Sequence, residues 1–139
     1  MHINRHFLAS GILAATVVVS GAVAATAAPT VKITNCVTAS SRPKTLTLAC
    51  GDGNTVLSGL RWSSFGGASA SAKGTLEMNT CTPNCAAGKV VKYPVAVRAD
   101  DQRTCRSGVR VYNKLTLQFT GRTPSSTSGL KRWTLGCPT

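Results

Sequence analysis

The chain has 139 residues and a formal net charge of +12, with only four acidic side chains against 16 basic ones. Its two histidines, His2 and His6, both lie at the extreme N-terminus. The rest of the chain therefore cannot build a Ser-His-Asp triad, a Cys-His pair or a histidine-ligated zinc site. Because general acid–base catalysis needs positioned titratable groups, the composition predicts a non-enzymatic protein, and we expect no metal and no cofactor.

The N-terminal region has the layout of a secretory signal peptide. Arg5 lies in a short basic start, residues 7–24 are apolar or small, and alanines then accumulate up to Ala28. The apolar stretch is slightly short for a membrane span, although an uncleaved anchor is the alternative interpretation. We predict a cleaved helical signal peptide over residues 1–27 and a single secreted β domain over residues 28–139, with the exact cleavage site open and no transmembrane segment in the mature protein.

Alternating apolar and polar residues predict short β-strands in the first half of this domain. The stretch KTLTLAC, residues 44–50, is followed by GDGN, residues 51–54, which is a typical hairpin turn. The stretches TVLSGLRW, residues 55–62, and ASASAKGTLEM, residues 68–78, continue the pattern. In the first two stretches the residues expected to share one face of their strand are Leu46, Leu48 and Cys50, and then Val56, Ser58, Leu60 and Trp62. In the third stretch the residues expected to face inward are Ala68, Ala70, Ala72, Gly74, Leu76 and Met78.

The second half of the domain continues in the same way, and no helical period of useful length follows the signal peptide. Because Pro94 has no N–H, we expect its strand, residues 89–99, to be a sheet edge or to carry a bulge. About seven short strands predict an all-β fold, a small disulfide-stabilised antiparallel β-sandwich or barrel. The inner face is expected to hold Val91, Tyr93, Val95, Val97, Val109, Val111, Leu115, Leu117, Phe119, Trp133 and Leu135.

An even number of cysteines in a small exported chain indicates disulfide bonds. The six cysteines are Cys36, Cys50, Cys81, Cys85, Cys105 and Cys137. Sequence alone cannot select among the possible pairings. Physical reach along the chain gives a preference for 36–50, 81–85 and 105–137.

The pair Cys81 and Cys85 also admits other interpretations. A Cys-x-x-x-Cys motif without histidine or a helix start favours a structural disulfide over a redox centre or a zinc site. A loop closed in this way is also a candidate inhibitory loop that presents Thr82, Pro83 and Asn84 to a protease, since a preorganised segment loses less entropy on binding. An ordinary pinned turn is the simpler alternative.

The high positive charge indicates either solubility through self-repulsion or attraction to polyanions. Nucleic acid is not expected, because the compartment is wrong and stacking aromatic residues are scarce. Outside a cell the remaining partners are phosphorylated wall polymers or anionic surfaces. We predict a candidate anion-binding strip on the outward faces of neighbouring strands, formed by Lys92, Arg110, Tyr112 and Lys114, with a plain solvated sheet face as the alternative.

The segments LACGDGN, LSGLRWSSFG, NTCTPNCAAGK with YPVAV, and VYNKLTLQF cover most of the domain. Together they resemble a family of small secreted actinobacterial proteins of unassigned function. The resemblance implies a signal peptide and an all-β, disulfide-bonded domain, and it implies no catalytic residues.

Three functional hypotheses follow from the sequence. The first is a non-enzymatic, basic binding or structural module, secreted or associated with the cell envelope and attracted to anionic polymers or surfaces. The second is a secreted inhibitor of an extracellular protein. The third is a hydrolase that uses Glu77 and Asp52 as its carboxylate pair, which requires the two groups to lie within about 10 Å of each other.

Overall fold

The computed structural model describes residues 30–139, so the predicted signal peptide lies outside the described residues. This part of the chain is all β-strand, turn and loop, which confirms the all-β prediction, and it contains no helix able to cross a membrane. The strands are β1 (Lys32–Asn35), β2 (Thr38–Ser40), β3 (Leu46–Thr47), β4 (Thr55–Ser64), β5 (Ala70–Asn79), β6 (Val90–Thr104), β7 (Arg110–Phe119) and β8 (Arg132–Thr134).

The strands form one sheet in the order β2-β1-β7-β6-β5-β4-β3, and β8 pairs with β7 beside β1. The central strands β4 to β7 are joined by consecutive antiparallel pairings. The pairing of β1 with β7 is parallel, with Ile33 opposite Tyr112, so the sheet is mixed. Short turns force consecutive strands to be antiparallel, whereas β1 and β7 are distant in sequence and free of that constraint.

The sheet curls into a half-barrel whose two ends meet without a hydrogen-bonded ladder. The end of β1 lies against β3, where the Thr47 amide donates a hydrogen bond of 2.9 Å to Asn35 Oδ1. The Cys36–Cys50 disulfide joins the same two ends. The sheet is therefore closed by side chains and a covalent bond.

All three disulfides have the pairing that reach along the chain predicted. Cys81–Cys85 closes the loop between β5 and β6. Cys105–Cys137 attaches the C-terminal segment to the β6–β7 turn. Because each cross-link removes conformations from the unfolded chain, the bridges stabilise a domain whose core is small.

The core lies on the inner face of the curl, where side chains from successive strands face each other. Leu57 is opposite Leu76, and Val97 is opposite Leu117, and all four are buried. Strand β5 contributes small residues to this face, which leaves room for the larger aromatic side chains that pack against it. The fully or nearly buried core residues include Val31, Ile33, Leu46, Leu60, Ala70, Ala72, Val95, Ala99, Tyr112 and Leu115.

A β-bulge in β4 reverses the expected alternation of its side chains. Gly59 has φ of 59°, and the register with β5 shifts between Ser58 and Arg61. A glycine in the left-handed region is typical of such a bulge, since it adopts this conformation without a steric penalty. As a result Leu57 and Leu60 are both buried, and the prediction that Val56 and Ser58 share one face of the strand with Leu60 is wrong.

Strand β6 is an interior strand, so the prediction that Pro94 marks an edge strand or a bulge is wrong as stated. It pairs with β5 over its first ten positions without a register shift. However, β7 ends at Phe119, opposite Val95, so Pro94 lies one residue beyond the β6–β7 ladder. Pro94 therefore lies outside the β6–β7 ladder, and its missing N–H does not remove a hydrogen bond from that ladder.

Candidate polyanion-binding face

The structure does not bring the four residues of the predicted anion-binding strip together. Lys114 is opposite Asp100 on β6, eight residues along that strand from Lys92. At about 3.3 Å per residue, this separates them by roughly 26 Å. Lys92 instead lies across from Glu77, and its Nζ is 3.1 Å from Glu77 Oε1.

The prediction that Tyr112 faces solvent is wrong, since its side chain is 0 % exposed and belongs to the core. Tyr112 is opposite Gln102, and the register between β6 and β7 is the same on both sides of this pair. Val111 and Tyr112 are adjacent in β7 and both are buried, although only Tyr112 belongs to the core cluster. The alternation of side chains along β7 therefore breaks at these two residues.

Tyr112 and Arg110 act structurally on the loop between β4 and β5. The Tyr112 hydroxyl accepts a hydrogen bond from Gly66 N at 2.9 Å and donates one to Gly67 O at 2.8 Å. Arg110 donates to Gln102, which in turn donates to Gly67 O. These contacts account for both residues without an external ligand.

The structure instead collects cations on the outer face of the sheet, in two neighbouring rows that cross the strands. One row runs from Arg61 through Lys73 and Ala96 to Gln118. The next runs from Ser71 through Arg98 and Thr116 to Arg132. Lys114 lies one step further along β7. We call Arg61, Lys73, Arg98, Lys114 and Arg132 the outer cationic face, and all five are exposed.

The sequence did not reveal this face, although its alternation places Lys73 and Arg98 on the side of their strands that faces water. The missing information is the register, which brings residues from β4, β5, β6 and β8 into the same two rows. Arg61 and Lys73 are direct cross-strand neighbours, which are about 5 Å apart in antiparallel sheets. Like charges this close repel each other, so this pair favours a bound anion.

Two acidic residues lie beside the outer cationic face, and each is already paired. Asp100 Oδ2 is 2.9 Å from Arg98 Nε, and Asp101 Oδ2 is 3.1 Å from Lys114 Nζ. The hydrogen bond from Lys114, supported by one from Asn113, holds the pKa of Asp101 below its ordinary value, so it stays charged. Within residues 30–139, Arg61, Lys73 and Arg132 form no salt bridge.

A shallow groove of about 330 Å³ runs between the two rows of the outer cationic face. Ala96 forms its floor between Lys73 and Gln118, and Arg98 lines it from the next row. Hydroxyl and amide side chains complete its walls, namely Ser63, Ser71, Thr116 and Gln118. The groove is open to solvent and offers both cations and hydrogen-bonding groups.

The candidate inhibitory loop, Thr82, Pro83 and Asn84, is a compact exposed turn. Asn79 holds its base, because its amide nitrogen donates to Cys85 O at 2.8 Å and its oxygen accepts from Cys81 N at 2.9 Å. The Cα atoms of Cys81 and Cys85 are only 3.7 Å apart. The segment thus folds back on itself and does not present an extended strand of the kind that adds to a partner's sheet.

The two carboxylates of the hydrolase hypothesis are both held in the charged form. Ser58 Oγ donates a 2.7 Å hydrogen bond to Glu77, and this bond, followed by Lys92, lowers the pKa of Glu77. The backbone amide of Asn54 donates to Asp52 and lowers its pKa. A glycosidase general acid needs a raised pKa, and neither group has one.

Within residues 30–139 no cluster of His, Cys, Asp or Glu has the geometry of a metal site. No protein-family model, curated protein or solved structure matches the chain. The resemblance to secreted actinobacterial proteins therefore stays an expectation from the sequence. The geometry of the outer cationic face is the main guide to function.

Proposed function

We propose that this protein is a secreted, non-enzymatic binding module that attaches to anionic polymers or surfaces of the cell envelope through its outer cationic face. The observation that carries this proposal is the convergence of five cations from five strands on one exposed face. Arg98 and Lys114 each pair with an aspartate, and within residues 30–139 Arg61, Lys73 and Arg132 form no salt bridge, so the face keeps an excess of positive charge. A field of one sign concentrates oppositely charged partners near the surface.

Export is part of this proposal and has two supports. The first 27 residues have the pattern of a signal peptide. The described cysteines are all in disulfides, which persist in oxidising compartments and are rare in the cytosol. An envelope polymer is then the polyanion that the protein meets first.

Nucleic acid fits this face poorly. Proteins that bind single strands stack bases on exposed aromatic rings. Trp62, Phe65, Tyr112 and Trp133 all pack in or against the core, and in the described part of the chain the rows of the outer cationic face contain no aromatic residue. Trp133 lines a cavity beside Lys114 and Arg132, but it packs against the core. The two rows themselves supply charge and hydrogen bonds.

The inhibitor hypothesis is the second candidate, because residues 82–84 are exposed and anchored at both ends. The compact shape of the loop makes it less suitable for a protease cleft than an extended segment. Assays of a panel of extracellular proteases with micromolar protein test this directly, and a lack of inhibition removes the hypothesis.

Cosedimentation with isolated cell wall at increasing NaCl concentration tests the proposed function. We expect binding that falls steeply with salt, since exposed charges are screened. The triple variant Arg61→Gln, Lys73→Gln, Arg132→Gln should lose most of this binding. The matched control Arg42→Gln, Lys44→Gln, Arg106→Gln removes the same charge from exposed loops and should keep it. Equal losses in both variants, or binding that ignores salt, would overturn the proposal.

A further inference from the structure

We propose that the groove in the outer cationic face takes a linear polyol phosphate, a chain in which phosphates are separated by hydroxylated carbons. This inference rests on the proposed function and names the polymer class. The groove lies between the two rows of cations, with Lys73 on one row and Arg98 on the other. A flat charged surface attracts any polyanion, whereas this groove adds groups that distinguish one polyanion from another.

Hydroxyl groups and arginines alternate along one row of the outer cationic face. In the row through Arg98, its direct neighbours on β5 and β7 are Ser71 and Thr116, and Arg132 follows on β8. At about 4.8 Å between strands, the two arginine backbones are roughly 10 Å apart, with Thr116 between them. A chain lying across the strands then meets a cation, a hydroxyl group and a second cation in turn.

The chemistry of the side chains matches phosphate and alcohol groups. An arginine guanidinium binds a phosphate through two parallel hydrogen bonds. Arg98 Nε already donates to Asp100 Oδ2 at 2.9 Å, so Arg98 would offer the phosphate its two terminal nitrogens. Serine and threonine hydroxyls both donate and accept, so they can pair with the alcohol groups of a polyol. Inorganic polyphosphate carries the same charges without the alcohols, and it therefore cannot form the hydrogen bonds between polymer alcohols and the serine and threonine hydroxyls.

The floor of the groove favours a thin acyclic chain over a chain of sugar rings. The small Ala96 side chain lies between Lys73 and Gln118. In the described residues, none of the groove-lining side chains is aromatic, although pockets for rigid organic rings are typically lined with apolar and aromatic groups. A flexible polyol phosphate can lie on this floor without such a surface.

The test measures binding by isothermal titration calorimetry at physiological salt with three probes. These are poly(glycerol phosphate), inorganic polyphosphate with the same number of charges, and polygalacturonate, which carries its anions on sugar rings. We expect the first probe to bind about tenfold more tightly than the other two, because its alcohols gain hydrogen bonds to the groove.

Two sets of variants separate the groove from the charge around it. Ser71→Ala with Thr116→Val removes both hydroxyls and keeps the β-branched shape of Thr116, and it should weaken poly(glycerol phosphate) binding about five- to tenfold and leave polyphosphate unchanged. Ala96→Leu fills the floor between Lys73 and Gln118 and should also weaken poly(glycerol phosphate) binding. Ser125→Ala with Ser126→Ala is the matched control in an exposed loop and should change neither.

The outcomes distinguish this inference from the proposed function. If all three probes bind equally and the groove variants change the binding of none of them, the inference fails, but the proposed binding of polyanions by the outer cationic face is still supported. If polygalacturonate binds best and the same variants weaken it, the assignment to an acyclic polyol phosphate is overturned. If no probe binds even at low salt, the proposed function itself fails.

Discussion

The amide of Thr47 donates a hydrogen bond of 2.9 Å to the side-chain oxygen of Asn35, although β1 and β3 lie near opposite ends of the strand order. This contact and the adjacent Cys36–Cys50 disulfide hold the two ends of the curled sheet together. A curled sheet that lacks a closing ladder leaves the backbone groups at its ends dependent on such partners. The closure therefore rests on very few residues.

Replacing Cys36 and Cys50 by alanine should lower the free energy of unfolding by about 3 kcal/mol, the entropy associated with a loop of about 15 residues. Urea denaturation monitored by fluorescence measures this loss. Replacing Cys81 and Cys85 is the matched control, because it opens a much shorter loop with a sequence separation of 4, against 14 for the first pair. An equal or greater loss in the control contradicts the assigned role of the first bridge.

Gly74→Ala should destabilise the fold by roughly 1–3 kcal/mol, since a Cβ there has no room. It would lie 2.8 Å from Leu60 Cδ2 and 2.9 Å from Ser58 O, and the latter belongs to the backbone of the β4 bulge. Gly51→Ala is the control, because nothing lies within 4 Å of its added Cβ. Thermal melts of both variants decide the point, and a neutral Gly74 variant would show that the bulge does not require the close approach.

Tyr112→Phe should cost about 1–3 kcal/mol, because it leaves Gly66 N without its buried acceptor and removes one of the two donors to Gly67 O. Hydrogen exchange at Gly66 should accelerate along with the loss of stability. Tyr93→Phe serves as the control, since Tyr93 is only partly buried and packs against the core through its ring. Unchanged exchange at Gly66 in the Tyr112 variant would argue against its role in holding the β4–β5 loop.

Glu77 should make the stability of the domain depend on acidity. Its pKa is lowered in the folded state, first by the Ser58 hydroxyl and then by Lys92. The stabilising contribution is therefore present above the ordinary pKa of a glutamate and is lost as pH falls through the lowered value. Denaturation of the wild type and Glu77→Gln between pH 6 and about pH 3 should show a stability difference, of about 0.2–1 kcal/mol at neutral pH, that shrinks with acidification.

Salt separates the two causes of that effect. Repeating the titration in about 1 M NaCl screens Lys92, whereas the hydrogen bond from Ser58 is retained. At high salt, the loss of stability caused by Glu77→Gln should consequently be smaller in a protein that already carries Ser58→Ala than in the wild type. If the stability difference grows as pH falls, Glu77 does not have a lowered pKa.

The strands and the disulfides were predictable because both depend on local chemistry. Period-two alternation identified the inner face of β5 and most of β6, and the pairing of the cysteines followed their reach along the chain. The errors occurred where a strand lost its regular alternation. Gly59, at the β4 bulge, has positive φ and changed which side chains of that strand face the core. In β7 the alternation breaks at Val111 and Tyr112, which are both buried.

The candidate site was less predictable, because it depends on the register between strands. The sequence indicated that cations are abundant, and it suggested a strip through Lys92, Arg110, Tyr112 and Lys114. The structure separates Lys92 from the other three residues and buries Tyr112, and it assembles Arg61, Lys73, Arg98, Lys114 and Arg132 on one face instead. These residues are far apart in the chain, and no periodicity within one strand determines which residue of another strand lies beside it.

By itself, the sequence determined that this domain is β-rich, cross-linked and strongly basic, since propensity, cysteine number and charge are properties of single residues and near neighbours. The tertiary structure alone decided that β1 and β3 meet, that Tyr112 is buried, and that five distant cations share one face. The physical reason is that sheet order, bulges and curl arise from long-range pairing. The free energy of that pairing is distributed over strands that are not adjacent in the chain.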